Sequence, residues 1–502
     1  MEDRLHAEAS IGLLEDLETS CMKNESGYAE RLSRRAFKHR FAPRILRAVD
    51  TLGRACILLL PSFVASRADA VKSTSVVRKS RPTAYLDGLR GVAAWTVVNC
   101  HLMHILSTDA GVGFGHPGIH HAIYKLPLVR VIGNGDWAVS VFFIVGGYAS
   151  SITPVLAMKN PSRDSASAMK KLASSLVRRP VRLFLPCFAT TFLVFVLIRV
   201  GYFEYFIARE KTFQTHYRGW ASLKDEWPAR LPSFAAQLQE LLWTDLRFFS
   251  LFSAWQVRPW FTPYTLPTWT IPLEYRSSLV LYLTHAALFY VQRKSKRVAL
   301  AGALIIMGLC LKAFDLPLFW SGYVLAELSP LLGTEHTETK RNIVSTLSMV
   351  LCLIAGLYCA SFPGWGAQET PGFGWLDALS PWNEYADRWW WNLGAVLVIF
   401  SLDRLKTPRD FLCWGPVEYL GKISFSLYLM HFWIMHTMGE AIFHYAYSIS
   451  GVTGVIPRLI GFFLGYFVLL AVLAWIADVF WRCVDTPCVS LAFKLERWLF
   501  EK

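Results

Sequence analysis

Charge is what this sequence has little of. Asp, Glu, Lys and Arg make up 18% of its 502 residues, against the roughly 25% usual in soluble domains. A chain of this length with so little charge does not read as a string of soluble domains. Its long apolar runs read as a polytopic membrane protein. Acidic residues are the scarcer sign, 37 against 51 Lys and Arg, for a net charge of +14. The excess is local. Residues 31–81 hold thirteen Lys and Arg against Asp50 and Asp69. A basic segment just before the first long apolar run predicts a cytoplasmic N-terminus and suits contact with anionic lipid heads. It does not predict nucleic-acid binding, because the charge abuts a membrane span and no recognition motif accompanies it.

Paired cysteines are lacking too. The ten cysteines form no C-x-x-C pair and show no metal-ligand spacing. Most fall in apolar runs, so they read as buried thiols rather than a disulfide framework, and no metal site is expected. The first thirty residues are acidic and polar, unlike a secretory signal peptide. Asn24-Glu-Ser26 fits a glycosylation sequon but falls on the predicted cytoplasmic side. Walker, Rossmann, zinc-binding and Ser-His-Asp patterns are absent. So is the internal repeat of an inverted-repeat transporter.

Apolar runs and aromatics are plentiful. Ten stretches are candidate spans: about 84–106, 135–157, 181–203, 267–291, 298–314, 316–332, 342–361, 389–402, 421–443 and 456–481. The expected fold is an all-α bundle of about ten membrane helices with both termini cytoplasmic. Aromatics, 15% of the chain, cluster at the ends of these runs, as interface belts do. Basic loops at Lys159–Arg179, Gln292–Arg297 and Asp403–Arg409 agree with that orientation. Residues 1–82 read as a polar tail with a short interfacial segment at 55–65, residues 83–490 as the membrane domain, and 491–502 as a short cytoplasmic tail. Loop 204–266 carries an amphipathic segment at 233–243. Gly146-Gly147 reads as close helix packing.

The first span carries unusual chemistry. It reads Tyr85-Leu-Asp-Gly-Leu-Arg-Gly-Val-Ala-Ala-Trp-Thr-Val-Val-Asn-Cys-His101. At about 100° per residue, Arg90 and His101 lie on nearly one face, with Asp87 within roughly 40° of it. Ionisable residues inside a membrane helix are expensive and usually functional. A histidine there is either an interhelical hydrogen-bonding group or a base for acid–base chemistry. His104 is one turn further on. Glu274 is a second buried carboxylate, either a site residue or a partner for a buried cation such as Arg276. Arg178, Arg179 and Arg182 are either span-end anchors or guanidinium ligands for phosphate. His431, with Tyr428 and Ser424 on preceding turns, reads first as a polar network between helices.

Four segments in order carry a resemblance: the first span, Gly135-Asp-Trp-Ala-Val-Ser-Val-Phe-Phe-Ile-Val-Gly-Gly-Tyr148, Arg178-Arg-Pro-Val-Arg182 with Pro186, and Trp269-Thr-Ile-Pro-Leu-Glu274. Gly421-Lys-Ile-Ser-Phe-Ser-Leu-Tyr-Leu-Met-His431 and Val484-Asp-Thr-Pro487 follow more loosely, with Asp485 where the pattern usually has Glu. The set resembles the acyltransferase-3 family, of the eukaryotic, fungal type without an appended soluble domain, over roughly residues 83–490. The resemblance implies a membrane-embedded O-acyltransferase in an endomembrane or plasma membrane. It implies acyl-CoA, acetyl-CoA foremost, as co-substrate with no permanently bound cofactor. It implies as acceptor a hydroxyl of a small metabolite or of a glycan. It further implies His101 as general base with Glu274 beside it, and Arg90, Arg178, Arg179 and Arg182 on the donor phosphates. Helix-rise counting puts His101 roughly 22 Å into its span, and Glu274 about 10 Å below the outer surface. Both depths fall in the outer half of the bilayer. The rival reading is a secondary transporter, with the same buried groups relaying protons or substrate. Asp485 before Pro487 reads as the end of a helix.

Overall fold

In the computed structural model the described residues are 61–62 and 81–500, apart from 108, 119–120, 161–163, 215–228, 250–261, 333–342 and 382–385. The chain divides into two compact units, residues 1–73 and 74–502. The sequon and nearly all of the basic and interfacial segments lie outside the described residues.

All regular structure among the described residues is helical. In chain order the helices are α1 (Tyr85–Leu106), α2 (Gly135–Lys159), α3 (Ser165–Arg199), α4 (Tyr202–Gln214), α5 (Phe234–Phe248), α6 (Thr270–Leu288), α7 (Lys294–Cys310) and α8 (Asp315–Leu328). Then follow α9 (Ile343–Ala360), α10 (Gly374–Ala378), α11 (Ala386–Leu402), α12 (Lys406–Leu412), α13 (Gly415–Ile434), α14 (Glu440–Ser450), α15 (Val455–Phe480) and α16 (Thr486–Phe500). Helix occupies each of the ten apolar stretches. Among the described residues, four helical runs are long and apolar enough to cross a membrane: Gly135–Lys159, Ser165–Arg199, Ile343–Ala360 and Val455–Phe500.

Local chemistry sets the helix ends. The side chains of Asn134, Asp164 and Ser233 accept hydrogen bonds from the backbone N–H of Trp137, Ser167 and Ala236, capping α2, α3 and α5. Helix α3 holds Pro180 and Pro186 yet runs 35 residues, about 52 Å of rise. That exceeds a roughly 30 Å hydrocarbon core, so its first, basic half projects beyond it.

Several helix pairs approach closely where only glycine fits, among them α2 with α8 and α1 with α13. A Cβ on Gly147 of α2 would stand 2.3 Å from Phe319 O of α8, and one on Gly322 2.3 Å from Ile144 O. A Cβ on Gly91 of α1 would stand 2.5 Å from Gly421 N of α13, and one on Gly421 2.3 Å from Asp87 O. Around α6–α8, ion pairs tie short helices together. Arg276 meets Asp315 at 2.5 and 3.1 Å. Arg297 meets Glu327 at 2.6 and 3.1 Å. Such bidentate pairing satisfies charges that would otherwise be buried at heavy cost. Thus Arg297, which ends the basic run at 292–297, is buried in the bundle rather than solvated.

The C-terminal segment differs from its sequence reading. No helix ends at Asp485. Helix α15 passes through a π-helical turn, Trp481–Asp485, straight into α16. Pro487 is tolerated because it follows a turn whose hydrogen-bond ladder has already been shifted. Residues 491–500 belong to α16, which packs on α3.

Candidate active site

Helices α1 and α13 build the centre of the site. They run parallel, in contact at Gly91 and Gly421. His101 lies ten residues beyond Gly91, and His431 ten beyond Gly421. Each histidine is therefore about 15 Å further along its helix. The equal offsets bring the two imidazoles together, ring centroids 5.2 Å apart and tilted by 42°. Phe432 packs edge-on against His101 at 5.4 Å. His436 packs on Phe432 at 4.5 Å, from a π-helical turn, Met435–Gly439, that interrupts the helix just past the pair. Such turns occur frequently at functional sites.

The two histidines differ in surroundings. His101 is half-buried. His431 is fully buried. Its Nδ1 lies 2.7 Å from Tyr428 O and 3.2 Å from Leu427 O. Both partners are carbonyls, so Nδ1 carries the proton and Nε2 is left with a lone pair. That buried Nε2 has no hydrogen-bond partner among the described residues. His104 is exposed, bonds Cys100 O at 2.8 Å and faces Trp365. Ser424 donates to Gly421 O of its own helix, so it is not part of an interhelical network.

A cavity of about 800 Å³ opens among the first turns of α1, the length of α2, the first half of α3, α6, the middle of α13, and the junction of α15 and α16. Seven basic side chains and three acidic ones line it. Arg90, Arg178, Arg179, Arg182 and Glu274 are all among them. Their states differ. Arg179 donates to Glu274 at 2.7 Å, while its buried Nε has no partner among the described residues. Arg178 pairs with Glu496 of α16 at 3.3 Å and stacks over Phe493 at 4.5 Å. Arg90 and Arg182 make no ion pair within bonding distance among the described residues. Asp87 pairs with exposed Arg81 at 3.7 Å rather than with Arg90.

The inner wall of the cavity includes Tyr428. Its hydroxyl bonds Thr270 Oγ1 at 2.7 Å and also donates to Pro267 O. This contact explains where Glu274 sits. Helix α6 is bonded to α13 at its first residue. It starts at buried Thr270, level with a residue thirteen positions into α13. Glu274, one turn on, meets Arg179 of α3 at 2.7 Å. Its partner is Arg179, not Arg276, which belongs to Asp315.

The arrangement is thus a cationic cavity, walled at its inner end by Tyr428, with a histidine pair one turn beyond. Arg90 and His101 are eleven residues apart on one helix, about 16 Å. Glu496, Phe493 and the partnership of His101 with His431 were not visible in the motifs. The equal Gly-to-His spacing in α1 and α13 was the one sequence signal for the pairing.

Residues 83–482 match the family profile described as an acyltransferase domain, acyltransferase-3. The chain belongs to the acyltransferase-3 family. It is therefore a membrane-embedded O-acyltransferase, joining an acyl donor to a hydroxyl-bearing acceptor. This acyltransferase is 28% identical over 457 residues to the acyltransferase clz18 of Cochliobolus lunatus, covering 83% of this chain and 97% of that relative. It is 28% identical over 455 residues to the acyltransferase R4 of a Phoma species, with coverage of 83% and 97%. The O-acetyltransferase PaAT-1 of Phomopsis amygdali is 27% identical over 442 residues, 84% of this chain and 85% of the relative. No solved structure matches the chain.

Proposed function

We propose that this acyltransferase carries an acetyl group from acetyl-CoA to a hydroxyl of a small metabolite. The observation that carries this reading is the pair of guanidiniums, Arg90 and Arg182, that no carboxylate among the described residues holds within bonding distance, in a cavity whose inner wall stands one helical turn from a histidine pair. A donor with several phosphates matches that surplus of positive charge, because guanidinium binds phosphate bidentately. Arg178 and Arg179 line the same cavity and add to its field. Glu496 and Glu274 hold them in place, so they act in part as wall rather than as free ligands. The acetyl group is favoured by the named activity of PaAT-1, an O-acetyltransferase.

The acyl arm then runs past Tyr428 toward His101. His101 takes the proton from the acceptor hydroxyl as its oxygen attacks the thioester carbon. The C–S bond breaks, and the CoA thiolate leaves and is protonated. Glu274 acts by anchoring Arg179. Transfer is direct, because among the described residues no cysteine or serine bonds either histidine of the pair as a covalent carrier would. The chain crosses an endomembrane or the plasma membrane several times, with its termini cytoplasmic. Thiol release from acetyl-CoA by purified protein, across a panel of alcohols and sugars, tests the reading. No acceptor-dependent CoA release with any acyl-CoA would end it.

Two predictions follow from the cavity. Gln at Arg90 or Arg182 is expected to raise KM for acetyl-CoA by about tenfold or more. Each charge-assisted contact contributes about 1.5–3 kcal/mol, and 1.4 kcal/mol is tenfold. The acceptor KM should move little. Lys at these positions keeps the charge but loses the fork, so it should recover only part of the affinity. Equal weakening of both substrates would make these arginines structural. The second prediction concerns sidedness. In sealed vesicles of known orientation, acetyl-CoA should be consumed only from the face bearing the N-terminus. A membrane-impermeant acceptor should react only from the other. Reaction of both from the N-terminal face would place the histidine pair on a different route.

A further inference from the structure

Histidine 431 is more than a neighbour of the base. A buried residue whose role is packing alone is ordinarily apolar, or has every polar atom satisfied. His431 is neither. It is completely buried, its proton is committed at Nδ1 to the carbonyl of Tyr428 at 2.7 Å, and its Nε2 is buried without a partner among the described residues. Phenylalanine would fill a similar volume without stranding a nitrogen. Of the rings packed on it, the other imidazole is nearest, at 5.2 Å between centroids, with Tyr428 at 6.0 Å and Phe432 at 6.5 Å. Phe432 and His436 complete the surroundings of the pair, so most of the neighbouring surface is aromatic.

We propose that His431 is a positioning residue for the transfer reaction, which shares the proton that His101 takes from the acceptor. This rests on the reading of His101 as the base. When the acceptor O–H bond breaks, the proton passes to a ring nitrogen of His101 and makes an imidazolium inside the bundle. A cation there is costly unless a lone pair faces it. The Nε2 lone pair of His431 is that group, because the bond from Nδ1 to Tyr428 O fixes the tautomer that leaves it free. The acceptor oxygen forms the new bond to the acyl carbon, the C–S bond breaks, and the thiolate recovers the proton from the pair. No oxidant or further reactant is needed, and His431 ends the cycle as it began.

Proton-holding by a pair predicts non-additive mutants, which a packing role does not. His431→Phe should lower kcat at least about tenfold and leave KM for acetyl-CoA unchanged. His431→Gln, which keeps an acceptor near the position of Nε2, should retain more kcat than the Phe variant. The double variant His101→Ala with His431→Phe should be no slower than His101→Ala alone. Helical circular dichroism and acetyl-CoA binding identify any variant that fails to fold; the Gln variant then carries the comparison in place of Phe. A multiplicative loss in the double variant, or wild-type kcat in His431→Phe, would overturn the proposal while His101 stays the base. Wild-type turnover in His101→Ala would instead remove the reading beneath it.

Discussion

Alanine at His101 is expected to cost the enzyme about 10²–10⁴-fold in kcat, the range that positioned acid–base groups contribute. The protein should otherwise remain intact. His101 is half-buried, and its recorded contacts are ring packing against His431 and Phe432. Removing it therefore leaves no hydrogen-bonded partner stranded among the described residues. The cationic cavity lies nearer the other end of α1, so KM for acetyl-CoA should hold. Initial rates of CoA release at saturating acetyl-CoA, read with a thiol reagent, give the answer directly. Turnover near that of the unmodified enzyme would take His101 out of the mechanism.

Gly421→Ala should remove activity by a different route. The added Cβ would sit 2.3 Å from Asp87 O and 2.7 Å from Asp87 C. Both are backbone atoms in a helix, so neither can rotate away. Helix α1 has to shift, which costs about 1–3 kcal/mol in overpacking. That shift moves Arg90 and His101 together, because they share the helix. The expected result is a lowered midpoint of thermal unfolding in detergent together with a large fall in kcat/KM. Gly302→Ala supplies the control. Nothing lies within 4 Å of the Cβ it would add, and alanine favours helix over glycine by about 1 kcal/mol. It should be neutral or stabilising, with full activity. If Gly421→Ala matched that control, the glycine contact would not be what aligns the histidines.

Much of this molecule was legible before any coordinates. Long apolar runs have few solutions other than helix, because a buried backbone must satisfy its own hydrogen bonds. The all-helical fold and the positions of the long helices follow from that. The residues of interest also stood out locally, since charge inside an apolar run is visible by contrast. Arg90, His101 and Glu274 needed no structure to be noticed. The arginines 178, 179 and 182 were noticed the same way and do line one cavity with Arg90.

Partnerships were another matter. Sequence spacing places residues on one face of one helix, but it does not say which helix comes to meet them. Asp87 and Arg90 share a face in α1, yet Asp87 turns to Arg81. Glu274 had two readings, and its partner Arg179 comes from a helix ninety-five positions away in sequence. Helix α6 begins at buried Thr270, bonded to Tyr428 of α13, and this brings Glu274 to Arg179. Arg178 is tied to a C-terminal helix whose residues read as a tail.

What the sequence by itself determined here is the class of fold, the reaction class its ordered motifs point to, and a list of chemically exceptional residues. Hydrophobicity and helical period act over a few turns, and both are written in neighbouring letters. Only the tertiary structure decided which arginines a carboxylate holds, where Glu274 sits, and that His101 faces His431. Those facts depend on how closely two helices approach and in which direction they run. Here that approach is set by two glycines 330 positions apart, whose missing side chains let α1 and α13 touch.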